Sequence, residues 1–142
     1  MASSSSVTAG VNATAAQYNN LREDVVLGRL VQGTDTYGAT TTIDWSDTTR
    51  GKVRTVTMTG NITTLAFSNP VAGQVIVLRL IQDATGSRTV DTWPTTIKWP
   101  SGVAPVLSTG ANKIDSFTFI CISTGPSVFD ALFNGFGLSL YL

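Results

Sequence analysis

Two apolar segments stand out in the pattern of hydrophobic and polar positions. Val75–Ile81 has apolar side chains at both alternating sets of positions, interrupted only by Arg79. A strand of this kind needs cover on both faces, by a second sheet or by another chain. A second apolar run, Phe117–Ile122, lies within a predicted strand over residues 115–123. The pattern therefore predicts a β core with these two strands at its centre.

Shorter segments with alternating or β-branched residues predict further strands on either side of this core. They are 40–45, 52–59, 62–67, 87–90, 103–107, 128–133 and 136–142. Turn formers such as Gly60-Asn61, Gly125-Pro126 and Asn134-Gly135 separate them. Strands that alternate with turn signals every 8–12 residues or so are typical of sandwiches and barrels. We predict a mainly β fold, an antiparallel β-sandwich or barrel with a short N-terminal helix and arm.

The helix signal lies near the N-terminus. Residues 14–17 (TAAQ) fit a capping box, and a helix over about residues 15–27 would place Tyr18, Leu21 and Val25 on one face. Because isolated helices of this length are marginal in water, we expect these three residues to dock on the chain's own β domain or on a neighbour. Residues 33–38 are predicted to be a linker. The chain thus divides into an arm and docking helix over 1–37 and a β oligomerisation domain over 38–142.

The low charge content indicates an assembled protein. Charged residues make up 13% of the 142 residues, and nine basic residues balance nine acidic ones. This share is about half the usual one, and a net charge near zero favours association. The chain also ends on an apolar strand. We therefore predict that Leu138, Leu140 and Leu142 form a subunit interface.

The sequence offers little for catalysis. It contains no histidine, which removes the commonest general base and the commonest neutral metal ligand. A nucleophile elbow and a phosphate-binding loop are absent too, and the acidic residues are scattered singly. We predict no enzyme, no cofactor and no metal, although acid pairs formed between subunits, as in a depolymerase, stay open. The single cysteine, Cys121, is predicted to be a buried structural thiol.

Membrane and nucleic-acid roles are not expected. The longest apolar runs are far shorter than the ~20 residues of a membrane span, and the N-terminus lacks the features of a Sec signal. We expect the chain to be kept in a cytoplasm or assembled into something larger there. The basic residues are dispersed, except for the alternating cluster Arg50-Lys52-Arg54. Without net positive charge, binding to nucleic acid is not expected.

Two tryptophans are candidates for ligand contact. Trp93 and Trp99 each precede a proline, which favours extended backbone at both indoles. In a loop-rich segment they would offer stacking platforms for a host glycan. The alternative is structural: the indoles cap the open end of a barrel or pack between subunits.

Several phrases resemble virion proteins of tailed bacteriophages. Residues 14–25 (TAAQYNNLREDV) are similar to a segment near the N-termini of phage fibre and appendage proteins. Further phrases resemble a recurrent β module of phage virion proteins: GNIT (60–63), LAFSNP (65–70), QDATGSRTV (82–90), IKWP (97–100) and ANKID (111–115). QDATGSRTV is the most specific of them, whereas residues 123–130 depart from the closing strand usual in that module.

The resemblance implies a virion protein of the trimeric capsid-decoration or tail-fibre type and identifies no catalytic residue. The chain is short for a receptor-reaching fibre and has no shaft repeat. We therefore expect a homotrimeric capsid decoration or cement protein, attached through its N-terminal segment to a partner such as the major capsid protein. The alternative is a tail fibre or appendage protein attached to other tail proteins, with a host-glycan-binding tip.

Overall fold

The computed structural model describes residues 32–46 and 52–139, and the predicted N-terminal helix lies outside these residues. The described part is mainly β, as predicted. Its elements are β1 (Gln32–Asp35), β2 (Thr40–Asp44), β3 (Val53–Met58), β4 (Thr64–Ser68), β5 (Val75–Gln82), β6 (Ile97–Lys98), a 3-10 turn (Pro100–Gly102), β7 (Lys113–Thr124) and β8 (Ser127–Ser139).

The strands form two sheets with mixed pairing, so the prediction of an antiparallel architecture is wrong for much of the chain. The larger sheet has six strands in the order β1-β3-β5-β7-β8-β6, and the smaller one pairs β2 with β4. Parallel pairs join β1 to β3, β3 to β5, β2 to β4 and β6 to β8. From β1 to β5 the chain alternates between the larger and the smaller sheet. β7 then pairs antiparallel with β5, and β8 pairs antiparallel with β7. Alternation along a strand fixes its faces but does not distinguish a parallel neighbour from an antiparallel one.

The core lies between the inner face of the larger sheet and the smaller sheet. Ile76, Leu78 and Leu80 of β5 point inward and are buried, as are Ile43 of β2 and Leu65 of β4. This burial is the main favourable term that holds the two sheets together.

The outer face of the larger sheet has a different environment. Val77 and Ile81 of β5 are half-buried, while Val75, Ile122 of β7 and Leu132 of β8 are exposed, the last two at 52% each. Within the described ranges, no strand of the smaller sheet packs on this face. Within the described residues the smaller sheet covers the inner face of β5 but not the outer one, so cover of the outer face by another chain stays a prediction.

A buried ion pair ties the first strands together, and the bounds of β1 correct one prediction. Arg54 of β3 donates from Nε and Nη2 to both carboxylate oxygens of Asp35 in β1, at 2.8 and 2.5 Å. Its Nη1 also donates to the carbonyl oxygen of Asp44, which links β2. Arg54 is 1% exposed, so its guanidinium is not part of a charged surface. Residues 33–35, predicted to be linker, belong to β1.

Three further strand predictions are wrong. Residues 87–90 make only a single parallel bridge, Val90 to Ile62, and residues 103–107 form no strand. The predicted turn at Asn134-Gly135 is instead part of the continuous strand β8. The Asn134 side chain accepts a hydrogen bond from the Thr118 hydroxyl at 3.0 Å, which holds this strand against β7. Shifts in the β7–β8 register, of the kind that β-bulges produce, accommodate this dipeptide within the strand without a turn.

Candidate functional site

An aromatic cleft is the most distinctive surface feature of the described residues. Trp93 and Trp99 meet edge to face, with ring centroids 5.0 Å apart. Behind them, Trp93 packs on Phe117 at 5.4 Å, and Trp99 stacks on Phe133 at 5.9 Å. A cleft of about 500 Å³ opens in front of this cluster, a size within the usual range for small-molecule sites. Residues of the segment 91–104 line it.

Backbone hydrogen bonds fix the loop that presents the indoles. The amide of Ile62 donates to Thr89 at 2.8 Å, Asp91 donates back to Ile62 at 2.9 Å, and Leu65 donates to Thr92 at 2.9 Å. The segment 89–92 therefore lies beside β4 as a further, irregular edge of the smaller sheet. Between the two indoles, the amide of Phe129 in β8 donates to the carbonyl of Thr96 at 3.1 Å. Because the loop is anchored before Trp93 and again between the two indoles, the cleft is formed before any ligand arrives.

Hydroxyl groups and a carboxylate lie beside the indoles. Asp91 lines the cleft, and one of its carboxylate oxygens accepts a hydrogen bond from the Thr89 hydroxyl at 2.7 Å. Thr92 and Thr95 add hydroxyl groups to the lining. Among buried side-chain nitrogens and oxygens of the described ranges, an unpaired indole N–H occurs only at Trp45, which is deep in the core. The cleft thus combines aromatic surface, hydroxyl groups and one carboxylate.

The two readings of Trp93 and Trp99 are therefore compatible. Both indoles are half-buried and pack against the core, which gives them a structural role within the chain, while packing between subunits stays a prediction. Both also line the open cleft, which a ligand-binding role requires. Sequence reasoning missed Asp91 and Thr92, although they directly precede Trp93 in the phrase DTWP. Their proximity to both indoles depends on the bridge between Ile62 and Val90, which has no signal in the sequence.

The phrase QDATGSRTV forms a loop held by hydrogen bonds among its own residues. The Gln82 side chain donates to the Arg88 carbonyl at 2.9 Å and accepts from the Arg88 amide at 2.7 Å. The Asp83 carboxylate accepts from the amides of Thr85 and Gly86 and from the Arg88 guanidinium at 2.7 Å. The hydrogen bond from Arg88, helped by these amides, holds the pKa of Asp83 below its usual value. The most specific motif of the sequence is therefore explained by loop architecture.

Gly86 is the position in this loop at which only glycine fits. Its φ is +76°, and a Cβ there would lie 2.5 Å from the carbonyl oxygen of Thr109. The neighbouring Ser87 amide donates to that same oxygen at 2.8 Å. The loop is thus pressed against the segment that leads into β7.

Exposed apolar side chains also occur at the end of β8. Phe133, Phe136 and Leu138 are exposed there, Leu138 at 45%. We call these three residues the β8 patch. Leu138 is thus accessible for the predicted subunit contact, whereas Leu140 and Leu142 lie outside the described residues. The predicted docking residues Tyr18, Leu21 and Val25 also lie outside them.

The remaining chemical candidates are structural. Cys121 is fully buried, as predicted, and this burial raises the pKa of its thiol. Asp115 is also buried and accepts hydrogen bonds from the Ser108 amide and hydroxyl and from the Gly137 amide. Across residues 32–46 and 52–139, no three histidine, cysteine or acidic side chains cluster in a way that would hold a metal ion.

None of the helices in those same ranges is long and apolar enough to cross a membrane.

Comparison with known proteins identifies a family. Residues 42–122 match a protein family described as "Putative phage tail fibre C-terminal domain". The matched range is more than half of the chain; it begins in β2 and ends in β7, and it includes the QDATGSRTV loop and the aromatic cleft. No curated protein and no solved structure matches the chain.

Proposed function

The chain belongs to the phage tail fibre C-terminal domain family, and we propose from this premise that it is an assembled, non-enzymatic component of a phage tail appendage. Membership makes it a structural protein of the virion. The family match is the observation that supports a tail location most directly. For this reason the tail now takes precedence over capsid decoration, which rested on the short length of the chain.

Exposed apolar surface supports the assembly part of the proposal. The outer face of the larger sheet presents Ile122 and Leu132, and the β8 patch presents Phe133, Phe136 and Leu138. Single exposed apolar residues are normal on a monomer, but several of them on one sheet and one strand favour contact with a partner. We propose a homotrimer in which the β8 patch, together with Leu140 and Leu142, contacts the neighbouring subunit. Closed symmetry then gives avidity from several individually weak contacts.

The N-terminal segment is the proposed attachment element. Tyr18, Leu21 and Val25 would form the apolar face by which it docks on a partner protein of the particle. This division of labour leaves the β domain exposed on the appendage.

Light scattering of the full chain tests the assembly. We expect a trimer for the native protein and a smaller species for Leu138→Asp, because an aspartate in an apolar interface stays without a partner. Thr124→Asp is the matched control, since Thr124 is an exposed β7 residue outside the β8 patch. A native monomer, or an unchanged Leu138→Asp variant, would contradict the proposed interface. Truncation at Gly38 is a poor test, because it removes β1 and with it the partner of the buried Arg54.

Quantitative peptide analysis of purified particles tests the location. A tail appendage is expected at few copies per particle and in the tail fraction after heads and tails are separated. A decoration protein would occur in the head fraction at a copy number close to that of the major capsid protein.

A second candidate function is recognition of a host glycan. The aromatic cleft supports it, because aromatic faces with nearby hydroxyl and carboxylate groups suit the apolar faces and hydroxyls of sugars. Replacing both indoles with alanine is a harsh test, since Trp93 and Trp99 also pack on the core. A substitution of Asp91 is milder, because this residue is exposed.

A further inference from the structure

We infer that the aromatic cleft is a binding site for uncharged or N-acetylated sugar residues and discriminates against acidic ones; this deepens the glycan-binding function proposed above and rests on it. Three observations support the inference: the charge of the lining, the hydrogen-bonding groups beside the indoles, and the rigidity of the loop.

The charge of the lining residues determines that neutral sugars are preferred to acidic ones. Asp91 is the charged side chain of the cleft, and lysine and arginine are absent from its lining residues, all of which are described. Acidic sugars such as sialic and uronic acids bring a carboxylate, and they are normally bound by cationic groups that pair with it. In this cleft the sugar carboxylate would meet a like charge and find no compensating cation. Like-charge contact of this kind lowers affinity for the wrong ligand.

The hydrogen-bonding groups fit hydroxyl-rich, neutral ligands. One oxygen of Asp91 accepts from the Thr89 hydroxyl at 2.7 Å, which orients the carboxylate and leaves its other oxygen without a hydrogen bond from a described residue. A carboxylate oxygen accepts from sugar hydroxyls and from the N–H of an acetamido group. Thr92 and Thr95 are able both to donate and to accept.

The indoles supply donors as well as stacking surface. The indole N–H groups of Trp93 and Trp99 make no hydrogen bond within the described residues and, unlike that of Trp45, are not fully buried. These N–H groups are therefore accessible for a ligand oxygen. One side of the pair is occupied by Phe117 and Phe133, so a sugar ring reaches the indoles from the cleft side.

The rigidity of the loop favours binding without rearrangement. Backbone hydrogen bonds anchor residues 89–92 beside β4 and Thr96 beside β8. Within the loop, Ile97 donates to the Pro94 carbonyl at 3.1 Å, and Gly102 donates to the Trp99 carbonyl at 2.9 Å. A preformed site loses less conformational entropy when its ligand binds.

Matched sugar pairs test the inference on the full-length protein. The probes are N-acetyllactosamine and its sialylated counterpart, together with a neutral glucose oligosaccharide and one of the same length that bears uronic acid. Tryptophan fluorescence and isothermal titration calorimetry report binding. We expect the neutral member of at least one pair to bind about tenfold or more tightly than its acidic partner.

Two variants link the preference to the cleft. Asp91→Asn keeps the shape of the side chain but removes its charge, so it is expected to reduce the discrimination against the acidic sugar and to weaken the neutral one by about tenfold. Asp130→Asn is the control, because this exposed carboxylate of β8 does not line the cleft. It is expected to leave both affinities unchanged.

Each other outcome overturns the inference. Preferential binding of the acidic sugars, or equal effects of Asp91→Asn and Asp130→Asn, would show that the cleft does not select as described. If none of the four probes binds, the glycan site itself is refuted. The tail location and the trimer are measured by particle fractionation and light scattering, so those proposals stand or fall separately.

Discussion

Replacing Gly86 with alanine tests whether the QDATGSRTV loop owes its sequence to architecture. A Cβ at this position would lie 2.5 Å from the Thr109 carbonyl oxygen and 2.9 Å from the Ala111 amide nitrogen. Both are backbone atoms, so the loop and the segment before β7 have to move apart. Gly102 is a matched control, because its φ of +74° is close to the +76° of Gly86 and a Cβ there meets nothing within 4 Å.

Comparing Gly86→Ala with Gly102→Ala separates the cost of left-handed backbone from the cost of a collision between the new Cβ and neighbouring backbone atoms. Left-handed backbone costs an alanine roughly 1–2 kcal/mol, and the smaller entropy of the unfolded alanine chain returns about 0.4–1 kcal/mol. Gly102→Ala should therefore lose about 1 kcal/mol of unfolding free energy. Gly86→Ala adds the loss of two backbone hydrogen bonds between the loop and its neighbour, from Ser87 to Thr109 and from Asn112 to Asp83. At about 1 kcal/mol each, these bring the total to about 3 kcal/mol.

Urea denaturation followed by tryptophan fluorescence measures both variants. All proteins are compared at one concentration, because assembly makes the apparent stability depend on it. A loss of about 1 kcal/mol for both glycines would refute the reasoning, since it would mean that the loop yields without breaking its contacts.

Three further predictions follow from buried or paired groups. Arg54→Met should cost about 3–5 kcal/mol in the same urea assay, because it removes the bidentate partner of the buried Asp35; a loss below 1 kcal/mol would contradict this. The lowered pKa of Asp83 means that its contribution to stability is complete above about pH 4 and is lost as the pH falls through the folded pKa. Arg88→Gln should therefore make the free energy of unfolding depend less on pH in the acidic range. An unchanged pH dependence would contradict the pairing of Arg88 with Asp83. Cys121 should react with a thiol reagent only as fast as the protein opens, and rapid labelling of the native protein would show that the thiol is accessible.

Much of the β architecture was predictable because burial imposes a period of two on a strand. The predicted strands at β2, β3, β4, β5 and β7 agree with the structure to within a few residues. Val75–Ile81 was correctly identified as a core strand, since its residues Ile76, Leu78 and Leu80 are buried. The turn at Gly125-Pro126 was also correct, because it follows from local backbone chemistry.

What the sequence could not supply depends on contacts between distant segments. Parallel pairing of β1, β3 and β5 arises from the winding of the chain between two sheets, and no single strand encodes it. Arg54 is buried because Asp35 and the Asp44 carbonyl meet it from other strands. The Asn134-Gly135 dipeptide has strong local turn propensity, but the hydrogen bond of Asn134 with Thr118 keeps it in β8.

The aromatic cleft was predictable only in part. Trp93 and Trp99 were recognisable as candidates from residue type and the prolines that follow them. Their edge-to-face contact and the position of Asp91 beside them depend on the pairing of residues 89–92 with the smaller sheet, which is tertiary.

Gold-labelled antibody against this chain, imaged by electron microscopy on intact particles of the phage that encodes it, tests the central claim most directly. A structural component of a tail appendage should be labelled at the tail or its fibres, with few gold particles on each virion. Labelling distributed over the head would contradict the tail assignment and restore capsid decoration, and particles without label would contradict a place in the mature virion.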